Sequence, residues 1–346
     1  MVDLPASDAA TLLPSRDLSI SAIVPVFNGA RHIAEAIQSI FAQTLLADEV
    51  IVIDDGSTDN SAEVLAELAQ EFPIRIISQE NGGQSAARNT GVEHARGDLL
   101  AFLDQDDVWH PDHLAELVKP FHDPTRYNLG WTYSDLDEID ESGQMVCRGV
   151  LKAHPHQVHP KCDLVTCLRH DMFILPSATL VARTAFQQVG GFNERLSGYE
   201  DDDLFLRLFR AGFDSEFISK SLSKWRIYSG SSSYSPRMAA SRLIYARLLI
   251  ERFPDVPERS RFYVRDLIAP RFFRSMSSDF RRCVLTGNCA QQKVTLAHVA
   301  FISRHLRLRW RLPLQFLIVP ALRIPVVARL VATWGPATMR LHRRVR

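Results

Sequence analysis

Short apolar runs closed by acids or glycine alternate with amphipathic stretches through the first third of the chain. Ile20 to Phe27 reads as a strand, with Pro25 near its end, where a missing N–H does least harm. Asn28-Gly29 breaks it. From Ala30 to Gln43 the apolar positions Ile33, Ala36, Ile37, Ile40 and Phe41 recur at helical spacing. Glu49 to Ile53 predicts the next strand, ending at Asp54-Asp55-Gly56-Ser57-Thr58-Asp59. Val64, Leu65 and Leu68 mark a helix, and Pro73 to Ile77 a third strand. Gly82-Gly83-Gln84 leads into a helix that holds Ala87, Arg88 and Asn89. Leu99 to Leu103 then reads as a strand buried on both faces. Strands alternating with helices of this length predict βαβ units, a parallel sheet and right-handed crossovers.

The fourth strand runs into Asp104-Gln105-Asp106-Asp107. Two readings of this acidic run are open. It caps a helix starting near Pro111, or it holds a hard divalent cation carrying a phosphate. Asp54-Asp55 ends a second strand in the same way. Ligands of open α/β sheets bind at the carboxyl ends of the strands, so both acid pairs are expected at one crevice. The turn after the first strand has no G-x-G-x-x-G, which disfavours a dinucleotide-binding dehydrogenase. No G-x-x-x-x-G-K-[ST] is present, which disfavours a P-loop ATPase. A receiver domain would need a Lys at a later strand end, and none is in place.

Val24-Pro25-Val26-Phe27-Asn28, Ile53-Asp54-Asp55-Gly56-Ser57-Thr58-Asp59, Asn81-Gly82-Gly83 with Ala87-Arg88-Asn89, and Phe102-Leu103-Asp104-Gln105-Asp106-Asp107 occur in a familiar order. Gly190-Gly191-Phe192-Asn193-Glu194 and Tyr199-Glu200-Asp201-Asp202-Asp203 follow. Together these motifs resemble family 2 glycosyltransferases of the GT-A fold, over roughly residues 18–232. The resemblance implies an α/β fold: a Rossmann-like, mostly parallel mixed sheet flanked by helices. The catalytic domain would cover 18–235, with a nucleotide-binding half (18–107) and an acceptor half (108–235), followed by a helical basic extension, 236–346.

The resemblance also carries roles. Pro25, Val26, Asn28 and Asp55 would line the nucleotide pocket, with Asp55 accepting from the base N–H of a uracil-like ring. Arg88 would approach the nucleotide, Asp104 the ribose, and Asp106 a Mg²⁺ or Mn²⁺ ion. Asp201 would be the catalytic base, at a helix N-terminus whose dipole favours the ionised form. Glu200, Gly191, Phe192 and Arg226 would lie on the acceptor or diphosphate side. Asp107 is expected to cap the following helix. Where many family members carry a His, this chain has Tyr228, a poor ligand at neutral pH. The metal is therefore expected to lean on Asp106, phosphates and water, with Arg226 and the Ser231–Ser233 hydroxyls near the diphosphate.

The implied reaction is an inverting, metal-assisted transfer from a nucleotide-diphosphate sugar, expected to be UDP-linked, to a glycan or lipid-linked acceptor in cell-surface polysaccharide synthesis. The competing readings are a non-catalytic carbohydrate-binding or assembly module and a sugar nucleotidyltransferase. Intact Asp55, Asp106 and Asp201 speak against the first, and the Glu200-Asp201 motif against the second.

Composition changes this picture in one place. The 346 residues carry 40 Lys/Arg and 40 Asp/Glu, a formal balance of zero. Residues 1–236 hold 18 Lys/Arg against 35 Asp/Glu, while 237–346 hold 22 against 5. A split of −17 and +17 points the tail at a polyanion or an anionic membrane surface. Helices are expected from Met238 to Arg252 and from Leu267 to Val284. Leu312 to Trp334 is the most apolar stretch, but Pro313, Pro320, Pro325, Arg323 and Arg329 argue against a spanning helix. With flanking arginines at 304, 307, 309 and 311 and at 340, 343, 344 and 346, residues 304–346 suit a peripheral membrane contact. A packed helical subdomain or a homo-oligomer contact is the alternative. Nucleic acid is not expected, because no reading motif occurs.

Five cysteines form no disulfide framework. His154, His156, His159, Cys162, Cys167 and His170 are loosely spaced and interrupted by Pro155 and Pro160, so a variable acceptor-side loop is preferred to zinc. The first 17 residues, with Asp3, Asp8 and Asp17 and no apolar run, resemble neither a secretory signal nor an anchor. The expected location is cytoplasmic, peripheral on the inner face of the membrane.

Overall fold

β1 (Ile20–Val26) is buried along its whole length, and the sheet grows outward from it. β2 (Glu49–Asp54) and β3 (Ile74–Ser78) pair in parallel on one side, and β4 (Leu99–Phe102) on the other. β5 is Val108–Trp109, β6 Leu129–Ile139, β7 Met145–Cys147, β8 Thr179–Ala182 and β9 Asp214–Arg226. The order is β3-β2-β1-β4-β8-β6-β9-β5, with β7 on the edge of β6. β8 runs antiparallel to both β4 and β6, while β6 and β9 are parallel, so the second half of the sheet is mixed. This is a computed structural model, describing residues 18–154, 158–228 and 236–334.

The register sets the site. Val26 lies opposite Asp54, and Ile23 opposite Phe102. Beyond those pairs the Asp55 N–H donates to Val26 O (2.8 Å) and the Leu103 N–H to Ile23 O (3.0 Å). The acid-bearing ends of β2 and β4 thus flank one strand, at the carboxyl edge that the alternating pattern predicts. The helices lie close to their expected places, at Ile33–Phe41, Ser61–Glu71 and Gln84–His94. The first begins later than expected because Gly29–His32 form a turn, closed by the His32 N–H on Gly29 O. Nine residues are too few for a stable isolated helix in water. Ile33, Ile37 and Ile40 are fully buried, and each contributes about 1.5–3 kcal/mol, so packing holds it. Gly91 lets the third helix close on β1, since a Cβ there would lie 2.4 Å from an Ile23 methyl.

The segment that leads into β8 is not extended throughout. Phe173 to Val181 becomes a 3-10 turn, Pro176–Ala178, followed by β8. Pro176 offers no ladder donor, and the Ala178 N–H turns back to Leu175 O.

The chain divides into two compact units. One comprises the described parts of Met1–Cys162 and Met172–Ser231; the other, those of Asp163–Asp171 and Ser232–Arg346. Residues 163–171, read from the sequence as acceptor-side, therefore group with the helical extension. Buried Arg271 explains this: it pairs with Asp171 (2.6 Å) and donates to Cys167 O (3.2 Å). The second unit holds helices Pro236–Arg252, Ala269–Leu285 and Cys289–Ser303 around Tyr245, Leu249, Phe272 and Met276. Leu308–Pro313, Leu314–Ile318, Val319–Ala321 and Pro325–Trp334 complete it. Ser229–Ser233, His156, residues 1–17 and the last four arginines lie outside the described residues.

Candidate active site

The loop after β4 brings three carboxylates together. Asp104 accepts from Gln84 Nε2 (3.0 Å) and from Arg88 Nη2 (2.5 Å). Asp106 hydrogen-bonds the Tyr228 phenol; burial, then the neighbouring Asp104 charge, pushes it up to about 6. Tyr228 in turn is pushed up to about 12, by burial and then by Asp106. Asp107 is buried and accepts from the Arg226 backbone N–H (3.0 Å) and from the Ser177 hydroxyl. It is not a helix cap. The following helix, His113–Val118, begins after Asp112, and Asp107 faces inward against β9. Burial, then Asp106 and Asp104, holds it well above the usual carboxylate range.

Asp55 is buried, and its carboxylate accepts from the Gly82 N–H (2.9 Å), the Gly83 N–H (2.8 Å) and Gln79 Nε2 (2.7 Å). It shapes the Asn81–Gly83 turn, which leaves about one of its four lone-pair positions for a ligand. Asn28, in a left-handed conformation (φ 51°), accepts from the Thr58 N–H (2.7 Å) and the Asp59 N–H (3.2 Å), tying the turn after β1 to that after β2. Pro25 and Val26 are both buried in the strand, and the Val26 side chain belongs to the core. Exposed Phe27 follows, its backbone N–H (2.8 Å) and C=O (3.2 Å) paired with the Gln105 amide.

Arg88 does not reach toward solvent. It is 1% exposed, with Nη2 on Asp104 (2.5 Å) and Nη1 on Glu200 (3.1 Å), and its guanidinium lies over the Phe192 ring. It joins the acid run after β4 to the start of the helix Glu200–Arg210. Each acid of that helix start has its own situation. Glu200 pairs with Arg88, Asp202 accepts from the Met172 N–H, and Asp203 pairs with Arg207 (2.8 Å). Asp201 differs, since its hydrogen bond is to the adjacent Asp202 N–H (2.8 Å). The residue before the helix, Tyr199, adopts a left-handed conformation (φ 66°), a strain of the kind that concentrates at functional sites.

The expected effect of the helix end on Asp201 is overturned. Burial, then the Glu200 and Asp202 carboxylates, holds Asp201 well above the usual carboxylate range, against the weaker pull of Arg88. A helix dipole is worth about 0.3–1 kcal/mol, too little to offset two adjacent charges in a desolvated place.

Arg226 also departs from its expected role. Its guanidinium is buried and donates to Asp106 O (2.8 Å), Asp140 O (3.2 Å), Glu141 O (3.3 Å) and Glu35 (2.5 Å). It staples the acid loop to its surroundings rather than facing a diphosphate. Phe192 is likewise core: it packs edge-on to Phe102 and Phe186. The Asn89 amide holds both Phe192 backbone groups (2.9 Å each), and Arg207 holds Gly191 O (2.7 Å). Gly191 has φ 68°, and a Cβ there would lie 2.8 Å from Asn89 Oδ1. Gly191→Ala is expected to destabilise the unit by about 2 kcal/mol, a lower melting temperature by calorimetry being the check.

Gln84, Gln105, Ser177 and Glu35 were not singled out as site residues by sequence reasoning. Their signal was too ordinary: two amides, a hydroxyl and a helical carboxylate, whose partners lie far off in the chain. Among the described residues no group of three or more His, Cys, Asp or Glu could hold a metal by itself. His159 packs against Tyr133 and Phe217, and burial pushes it down to about 3.

Residues 21–189 match the family model for glycosyl transferase family 2, and residues 174–229 that for the N-terminal domain of galactosyltransferase. The first match covers 169 residues, just under half of the chain, and over them the chain resembles glycosyltransferase family 2. It is similar to the glycosyltransferase GlyG of Streptococcus pneumoniae, 29% identical over 220 residues, which cover 61% of this chain and 72% of that one. It is 31% identical over 210 residues to the hyaluronan synthase of Pasteurella multocida, covering 58% of this chain and 20% of that one. The chain spans about one-third of the length of other curated relatives that it matches. A crystal structure of S. aureus TarS 1–349 in complex with UDP-GlcNAc superposes with a TM-score of 0.63 at 17% identity, over 90% of this chain and 89% of that one. The chain therefore has a GT-A fold, with a helical region at its C-terminal end.

Proposed function

We propose that the chain transfers a sugar from a UDP-sugar to a hydroxyl of a glycan or lipid-linked acceptor, with inversion, in the synthesis of a cell-surface polysaccharide. One observation carries this reading: Arg88 brings Asp104 of the acid loop and Glu200 beside Asp201 onto a single buried guanidinium. The two places that the chemistry requires, a donor floor and a base, are thereby held at a fixed spacing. The names of GlyG and of the hyaluronan synthase, and the UDP-GlcNAc bound to TarS, support the direction.

In this reading Asp201 accepts the acceptor hydroxyl proton. The oxygen then bonds to the anomeric carbon while the bond to the diphosphate breaks, and the electron pair leaves on the diphosphate. Among the described residues, Asp201 is the acid at that helix start without a structural pairing to a cation or a distant backbone group, which fits a base kept for substrate. Asp104 faces the ribose, and Asp55 with the Asn81–Gly83 turn faces the base. The excess negative charge of Asp104, Asp106 and Asp107 suits Mg²⁺ or Mn²⁺, held by Asp106 together with phosphate and water. Such an ion, when bound, neutralises charge on the leaving diphosphate.

Release of UDP and appearance of a glycoside, assayed over a panel of UDP-sugars with Mn²⁺ and glycan acceptors, tests the proposal. Thermal shift by one UDP-sugar, with turnover, is the expected result; no shift and no turnover with any UDP-sugar would overturn it. Asp106→Ala is expected to remove the metal-dependent part of UDP affinity. Calorimetric titrations of the variant should then agree with and without EDTA, while those of the parent differ.

A further inference from the structure

In the C-terminal unit the end of the described chain is packed inside out. Helix Pro325–Trp334 turns Ala328 and Ala332, both 3% exposed, inward, and the Ala332 carbonyl accepts from Arg281 Nε (2.6 Å). Its larger side chains point the other way, Val326 being 68% exposed. The preceding segment repeats the pattern: Val319 is buried, while Phe316 and Leu317 are 71% and 68% exposed. A helix on a soluble core buries its large apolar residues and shows water its small or polar ones. Ten of the twenty large apolar side chains exposed among the described residues fall between Leu308 and Val331. Scattered exposed leucines need no explanation, but a contiguous patch of this kind marks an interaction surface.

Two further facts select the partner. After Asp279 the sequence contains no Asp or Glu at all, while 13 Lys/Arg follow. Arg304, Arg309, Arg311, Arg323 and Arg329 are exposed within or beside the apolar stretch, and of its arginines Arg307 pairs with Asp266 (2.8 Å), so the rim is predominantly cationic. Leu308–Ala321 and Pro325–Thr333 also meet at a bend of 116°. No single helix is long and apolar enough to cross a membrane. At 1.5 Å per residue the two arms measure about 21 Å and about 14 Å, each short of a hydrocarbon core about 30 Å thick. A bent pair with apolar side chains outward and arginines at its edges suits the plane of an interface, where the arginine stems lie along the apolar surface and the guanidinium groups reach phosphate.

We infer that the face formed by Leu308, Trp310, Phe316, Leu317, Val326 and Leu330 docks this unit on an anionic lipid bilayer. The inference does not depend on the sugar chemistry. The test is flotation of the full chain with vesicles of phosphatidylglycerol in phosphatidylcholine and with phosphatidylcholine alone. Partition about tenfold stronger onto the anionic vesicles, and weakened by added salt, is expected. The pair Phe316→Ser and Leu317→Ser is expected to reduce it about tenfold with an unchanged melting temperature, since both side chains already face water. Absence of partition, or equal partition of parent and variant, would overturn the inference. So would a self-associated species that the two serines dissociate while vesicle binding stays absent, because a second copy would then cover the face.

Discussion

Asp201→Asn is expected to lower kcat about 10²–10⁴-fold while the affinity for UDP stays near that of the parent. Asparagine keeps the shape and the hydrogen bond to the Asp202 N–H but cannot take a proton. The parent should also show a pH dependence that the variant lacks. A base works only when ionised, and its pKa is raised by burial and by Glu200 and Asp202. Activity of the parent should therefore fall, as pH is lowered, at a pH above the ordinary aspartate value of about 3.9. Single-turnover rates against pH, with UDP affinity measured in parallel, check both statements. A variant that keeps parental turnover would remove Asp201 from the mechanism.

Arg88→Met should have the largest effect on stability. Methionine fills comparable volume but leaves Asp104 and Glu200 without their shared cation, and breaking a buried pair in this way costs about 3–5 kcal/mol. The loss should be at the lower end, because Asp104 is partly open to water and can be solvated. For a unit of this size the melting temperature should drop by roughly 10 °C. A second consequence separates this from simple unfolding. Arg88 draws the Asp201 pKa down, so whatever activity survives should fall off at a higher pH than in the parent. Arg88→Lys keeps the charge but loses the two-armed reach, and should lie between.

The sheet edge was legible in the sequence because it depends on local pattern. Apolar runs ending in Asp54-Asp55 and in Asp104–Asp107 could be placed side by side by the rule that ligands bind at strand ends, and the register of β1 against β2 and β4 puts them there. The roles of arginines were not legible. Arg88 and Arg226 look in sequence like cations waiting for phosphate, yet each is committed to groups up to 191 residues away. Nothing local distinguishes a guanidinium that binds a ligand from one that holds the binding loop. Asp107 was misread for the same reason: its partners, Ser177 and the Arg226 N–H, are long-range. Phe192 sits in a motif rich in glycine, which suggests an open loop, but its ring packs against Phe102 and Phe186. The grouping of residues 163–171 with the helical unit involves partners about a hundred residues away, Arg271 with Asp171 and Cys167 O among them, and could not be read from composition.

Arg88 stands 16 residues from Asp104 and 112 from Glu200. The long stretch of chain between those two acids is spliced between endpoints that one side chain already holds. Under the proposed mechanism, changes of length in the exposed loops of that stretch are expected to alter acceptor choice while Arg88 keeps Asp104 and Glu200 in place. Linkage and donor would then be set by separate lengths of chain, joined through one guanidinium.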